Sequence, residues 1–147
     1  MRKRITGRKF SRSSKSRRAL LRALVVSLVN EGKITTTLAK AKEVVRVADK
    51  LFATAKKGDL SARRRILSKL ANKRKVVDRI FELASKIDKK SGFVRFLAIP
   101  PRKGDNSPMA QVEIIGWFKV EDKKAKSEKE EKKDVKKVEK KNLKKEA

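Results

Sequence analysis

The spacing of apolar residues changes twice along this chain, and nearly all the large ones lie between residues 19 and 118. In the first part they recur every three or four positions, the period of a helix with one buried face. Leu20, Leu21, Leu24, Val25 and Leu28 predict a first helix. It can be capped by any of Ser11, Ser13, Ser14 and Ser16, and it stops at Asn30-Glu31-Gly32. Arg18 and Arg22, four apart, are expected on its opposite side. Lys33-Ile34-Thr35-Thr36-Thr37 is short and β-branched, which predicts a strand that runs at once into a second helix. That helix carries an apolar stripe through Leu38, Ala41, Val44, Val45, Ala48, Leu51, Phe52 and Ala55, with Lys42, Arg46, Lys50 and Lys57 opposite, and it ends at Gly58. Asp59 can cap a third helix, through Leu60, Ile66, Leu67 and Leu70. After Asn72-Lys73 a fourth passes through Val76, Val77, Ile80, Phe81, Ala84 and Ile87.

Past Ser91-Gly92 the period becomes alternating. Residues 93–99 predict a strand that Pro100-Pro101 prevents from continuing, and residues 109–118 predict a second, with Ala110, Val112 and Ile114 on one face and Gln111 and Glu113 on the other. The seven residues between, Arg102 to Pro108, are dense in turn formers, so the pair reads as a hairpin. A sheet that is apolar on one side needs helices to cover it. The predicted fold class is α+β: a two-layer domain of about four helices on a small sheet made of the short strand and the C-terminal hairpin.

Charge adds what periodicity leaves out. The 147 residues carry 44 Lys and Arg against 17 Asp and Glu, a formal net charge of +27. Residues 1–18 hold nine cations (Arg2, Lys3, Arg4, Arg8, Lys9, Arg12, Lys15, Arg17, Arg18) and no acid. Such an arm repels itself and gains order only against dense negative charge, of which nucleic-acid phosphate is the obvious source. Residues 119–147 are a mixture of Lys and acids with few apolar residues, and are predicted to be disordered or a fraying solvated helix, a weak basic interaction tail being the second reading. The organisation is therefore a basic arm (1–18), a globular domain (19–118) and a Lys/Glu-rich tail (119–147).

Composition also removes function classes. Histidine, cysteine and tyrosine are all absent, which takes away the usual neutral-pH acid/base groups, thiol nucleophiles, disulfides and soft or imidazole metal ligands. Gly104-Asp105-Asn106 lacks the spacing and the strand-to-helix setting of a phosphate loop. No cofactor, metal or small-molecule substrate is expected. The longest apolar run, residues 24–29, is far short of the roughly 20 residues that span a bilayer, so no membrane partner is expected and the protein reads as soluble. Arg- and Ser-rich amino ends also occur in organellar transit peptides, but only Ile5 and Phe10 are bulky here and no amphipathic face results.

Nucleic-acid binding remains. A sequence reader of DNA concentrates contacts on one recognition helix. Here the charge is spread over an arm, several helix faces and the loop at Arg102-Lys103, which suits a surface enclosed by irregular folded RNA. Phe93, Phe96, Trp117 and Phe118 form the one aromatic cluster in sequence, and strand aromatics are more often core than stacking platforms.

Four segments carry a family resemblance: Met1-Arg2-Lys3-Arg4 with Gly7-Arg8-Lys9; Arg17-Arg18-Ala19-Leu20-Leu21-Arg22; Ile34-Thr35-Thr36-Thr37-Leu38-Ala39-Lys40-Ala41-Lys42-Glu43; and Arg102-Lys103-Gly104-Asp105-Asn106-Ser107-Pro108-Met109-Ala110. Their order and spacing resemble the bacterial large-subunit ribosomal protein seventeen family, from residue 1 to about 115. The resemblance implies an α/β two-layer, non-enzymatic protein of the cytoplasmic ribosome, bound to large-subunit (23S) ribosomal RNA near the polypeptide exit tunnel beside neighbouring large-subunit ribosomal proteins. Departures from the family pattern are Lys3 and Lys15 where histidine is common, Ser91-Gly92-Phe93 in place of a Gly-Gly-Tyr, and Ala23 in place of an asparagine. The tail falls outside the family's common core. On this reading the RNA-binding residues are Arg2, Lys3, Arg4, Arg8, Lys9, Arg12, Lys15, Arg17, Arg18 and Arg22, then Lys40, Lys42 and Arg46, then Arg102 and Lys103. The rivals are an architectural DNA protein, which would need an apolar wedge on a β-arm, and an RNA-modifying enzyme, for which the acid/base residues are missing.

Overall fold

A computed structural model of the chain describes residues 7–117. The unit that ends at Ile115 holds seven elements: α1 (Ser14–Glu31), β1 (Lys33–Thr37), α2 (Leu38–Ala55), α3 (Leu60–Lys69), α4 (Arg74–Lys86), β2 (Val94–Ile99) and β3 (Met109–Ile114). Helices and strands form the two layers expected, with all three strands antiparallel in the order β1-β3-β2. The predicted tail (119–147), Phe118 and the cations Arg2, Lys3 and Arg4 lie outside the described residues.

The helices start and stop for local reasons. Ser13 caps α1, its Oγ accepting the Ser16 N–H at 3.4 Å. At the other end Gly32 takes the left-handed conformation (φ 74°) that a side chain disfavours, and its N–H donates to the Leu28 carbonyl at 2.8 Å. The Gly32 carbonyl in turn accepts the Ile114 N–H at 3.0 Å, so the end of α1 is tied to the central strand. Asp59 occupies the cap position of α3, but its carboxylate makes no capping bond, and Thr37 likewise starts α2 without one. The α3–α4 connection turns through two left-handed residues, Ala71 (φ 52°) and Asn72 (φ 58°), which lets the Asn72 N–H reach the Leu67 carbonyl at 3.0 Å.

The central strand sets the sheet. Thr36 and Ala98 both pair with Ala110, and Ile34 and Phe96 both pair with Val112, so these residues share one face. That face is buried at Ala110, Val112 and Ile114 under α1 and α2. Two expectations are corrected here. β3 ends at Ile114 rather than continuing to 118, and Gly116 has a φ of 85° that a strand does not adopt. β2 does not bury alternate residues: only Val94 is buried, while Phe96 is 39% and Leu97 45% exposed. β2 is an edge strand whose far half extends past the helical cover, so position in the sheet overrides the pattern.

Where β2 begins, one acid does what no hydrophobic pattern could. Asp49 Oδ1, on α2, accepts the N–H groups of Phe93 (2.9 Å) and Val94 (3.0 Å). Phe93 is fully buried and stacks on Phe52 with centroids 5.8 Å apart, which makes it core rather than a platform for bases. Lys56 Nζ closes the same corner, donating to the carbonyls of Ile87 (2.7 Å) and Lys89 (2.6 Å).

Candidate nucleic-acid interface

Among the described residues, three of the segments that carry predicted cations, the arm from residue 7, α2 itself and the base of the loop between β2 and β3, meet near the first turns of α2. The arm is the first. Gly7, at φ 92°, runs so close to α2 that a Cβ there would sit 3.4 Å from Glu43 Oε2. A left-handed turn at Phe10 and Ser11, with the Arg12 N–H donating to Lys9 O at 3.3 Å, then feeds α1. Arg8, Lys9, Arg12 and Lys15 are exposed. Because α1 begins at Ser14, Lys15, Arg17 and Arg18 stand on a helix that fixes their spacing rather than on an extended arm.

The second group is on α2 itself. Lys42 and Arg46 are exposed on the side away from the buried stripe of Ala41, Val44 and Ala48, whereas Lys40 is half-buried. Arg46 lies 3.7 Å from Glu43, one turn away. The third group arrives with the loop between β2 and β3. The Pro108 carbonyl accepts the N–H of Leu38, the first residue of α2, at 2.9 Å, and Thr37 pairs with Met109. The base of the loop thus meets the start of α2. Within it the two predicted cations differ. Arg102 is engaged by Asp105 at 2.5 and 3.1 Å, with the Ser107 N–H also on Asp105 at 3.3 Å. The hydrogen bond from Arg102 holds the Asp105 carboxyl at about 2, well under the usual carboxylate range. The Arg102 charge is therefore partly offset within the loop by Asp105, while Lys103 stands exposed beside it.

On α1 the expected facing is corrected. Arg18 and Arg22 do not lie opposite the apolar face; together with Leu21 and Val25 they line one cavity against α2 and α3. The residues that decide this are the fully buried Val25, Leu28 and Val29, which put the core face within a fraction of a turn of Arg18 and Arg22. Leu20 and Leu24, which pulled the sequence reading the other way, are only half-buried. Arg22 Nε donates to the Lys69 carbonyl at 2.7 Å, fixing its guanidinium over the end of α3.

Sequence reasoning also left out cations that the fold displays beside these. Lys50 and Lys69 are exposed at the same cavity. The triplet on α3 divides: Arg63 pairs with Asp78 and lies 5.6 Å over the Phe81 ring, while Arg64 and Arg65 face solvent. Among the described residues no group of three or more acids could hold a metal ion, and no helix is long and apolar enough to cross a membrane.

The family model described as ribosomal protein L17 matches residues 20–115. The chain belongs to the ribosomal protein L17 family. A relative from Thermodesulfovibrio yellowstonii, named large ribosomal subunit protein bL17, is 43% identical over 135 residues, 90% of this chain and 98% of its own length. Proteins of the same name from Finegoldia magna (42% over 121 residues, 81% of this chain and 92% of that one) and Heliobacterium modesticaldum (44% over 109 residues, 74% and 97%) are similar in kind. The L17 family consists of structural, non-enzymatic ribosome components. Its matched region starts at Leu20, inside α1, so it covers the layered unit and leaves the arm and the tail to be interpreted from their own residues.

Proposed function

We propose that this protein is a structural constituent of the large ribosomal subunit that neutralises and pins large-subunit ribosomal RNA, near the mouth of the polypeptide exit tunnel and beside neighbouring ribosomal proteins. The observation that carries RNA binding is that the arm near Gly7, the cations of α2 and the base of the β2–β3 loop meet around the first turns of α2, while Arg18 and Arg22 of α1 stand further along α2 beside Val47 and Lys50; the nearby acids Glu43 and Asp105 are each already held by an arginine. A surface of this kind attracts phosphate without reading base order, since phosphate contacts fix position and base contacts fix sequence. Family membership supports the subunit, and the finer placement at the tunnel mouth rests on the family resemblance of the four sequence segments. The protein works in the cytoplasm, within the ribosome.

Sedimentation tests this directly. The full chain should travel with large subunits through a high-salt gradient and reappear with them after a second pass. Recovery with chromosomal DNA, or at the top of the gradient at low salt, would overturn the assignment.

A further inference from the structure

Between α1, α2 and the end of α3 lies a cavity of about 420 Å³. Its floor is aliphatic, with Val25, Leu51 and Leu70 buried and Leu21 and Val47 half-buried. Around it stand Arg18, Arg22, Lys50 and Lys69, and no acid lines it. Folding explains these cations only in part: Arg22 donates to the Lys69 carbonyl and Arg18 to that of Ser14, yet four cations about an apolar hollow repel one another, and their stems alone do not fill the space. Charge complementarity asks for an occupant that joins an apolar body to an anion a few ångströms away.

We propose that this cavity seats one unstacked nucleotide of the bound RNA, its base against the aliphatic floor and its flanking phosphates at the rim cations; the proposal rests on the RNA-binding reading above. The size fits a single planar group, within the roughly 300–1,000 Å³ of small-molecule pockets, and is too small for a partner helix. A Lys- or Arg-rich partner is repelled by the rim, and an uncharged apolar side chain leaves the rim unanswered. Folded RNA supplies splayed-out bases, which proteins hold on arginine planes and apolar surface. Arg22 is suited to that role because its bond to the Lys69 carbonyl at 2.7 Å orients the guanidinium and satisfies a carbonyl of the last turn of α3 that would otherwise face the anion. The cavity also lies on the same side of α1 as the predicted cation Lys15, since Lys15, Arg18 and Arg22 are spaced three and four apart on that helix.

The test is base-by-base chemical probing with dimethyl sulfate and a 2′-hydroxyl acylating reagent, on large-subunit ribosomal RNA bound by the full chain. Two variants are compared with the parent: Leu21→Trp, which fills the hollow, and the double variant Lys50→Glu with Lys69→Glu, which reverses charge at two exposed positions and leaves the floor intact. The expected result is that one unpaired nucleotide, protected by the parent chain, returns to free-RNA reactivity with both variants while the other protections persist. A parental footprint from the Glu variant overturns the proposal, whether or not the Trp variant folds. So does cross-linking of Leu21 or Val47 to another ribosomal protein instead of to RNA. If the parent chain protects no nucleotide at all, it is the RNA-binding reading itself that fails, and that outcome is distinct from a footprint that the variants leave unchanged.

Discussion

Replacing Asp49 by alanine should unfold the corner where the helices meet the sheet. One carboxylate oxygen accepts two backbone N–H groups, from Phe93 at 2.9 Å and Val94 at 3.0 Å, and both bonds are part-buried. A hydrogen bond to a charged group contributes about 1.5–3 kcal/mol net. The two share one acceptor, and water can reach the rim of the site, so the lower value applies to each and the pair is worth about 3 kcal/mol. At the low end of about 4 °C per kcal/mol for a domain near this size, Asp49→Ala should lower Tm by about 12 °C. Asp49→Asn keeps an acceptor but removes its charge, and should cost about half as much. Urea unfolding of both variants gives the energies, and amide exchange at Phe93 and Val94 shows whether the loss is local. A loss below about 0.5 kcal/mol for Asp49→Ala, the size of an ordinary surface substitution, would refute the assignment of this acid as the anchor of β2.

Three further outcomes follow from backbone and charge. Gly32→Ala places a Cβ at φ 74°, where the residue also bridges α1 and β3, and should destabilise by about 1–2 kcal/mol in denaturant titrations. Ala71→Gly relieves the same kind of strain at φ 52° and should stabilise by up to about 1 kcal/mol; a destabilising result would mean that the Ala71 side chain is needed. Asp105 should titrate near 2 by NMR, and return towards about 3.9 in Arg102→Ala. Because its folded value is depressed, the loop contact is fully present above the unfolded value and is lost as pH falls through about 2, so the loop should be unchanged from pH 5 to 8.

Element order was legible because the apolar period is clean: helical through Ile87, alternating after Gly92, with Gly32 and Ser13 marking ends that the fold uses. What the pattern could not supply is which helix face meets which neighbour. Leu20, Leu21, Leu24, Val25 and Leu28 spread over an arc of about 140° on α1, and only packing shifts the core face to its Val25 side, with Leu28 and Val29. That choice moves Arg18 and Arg22 from the far side to the cavity. Asp49 was invisible for a related reason. A lone acid on a helix is usually solvated, and its two partners lie 44 and 45 residues away. Edge position was equally hidden, so Phe96 and Leu97 read as alternating strand residues although β2 leaves both exposed. The Arg102–Asp105 pair, by contrast, is local, three residues apart in a turn, and a search for acids near each predicted cation would have found it.

The central claim is that phosphate neutralisation by the gathered cations supplies the binding. Its most direct test is the salt dependence of affinity for large-subunit ribosomal RNA, measured for the full chain and for a chain without residues 1–12. The deletion removes Arg2, Lys3, Arg4, Arg8, Lys9 and Arg12. Each engaged cation contributes roughly 0.7–0.9 to the slope of log association constant against log salt, so the slope should flatten by about 4–5 if all six lie on phosphate. A slope unchanged by the deletion, with the affinity itself preserved, would contradict the account.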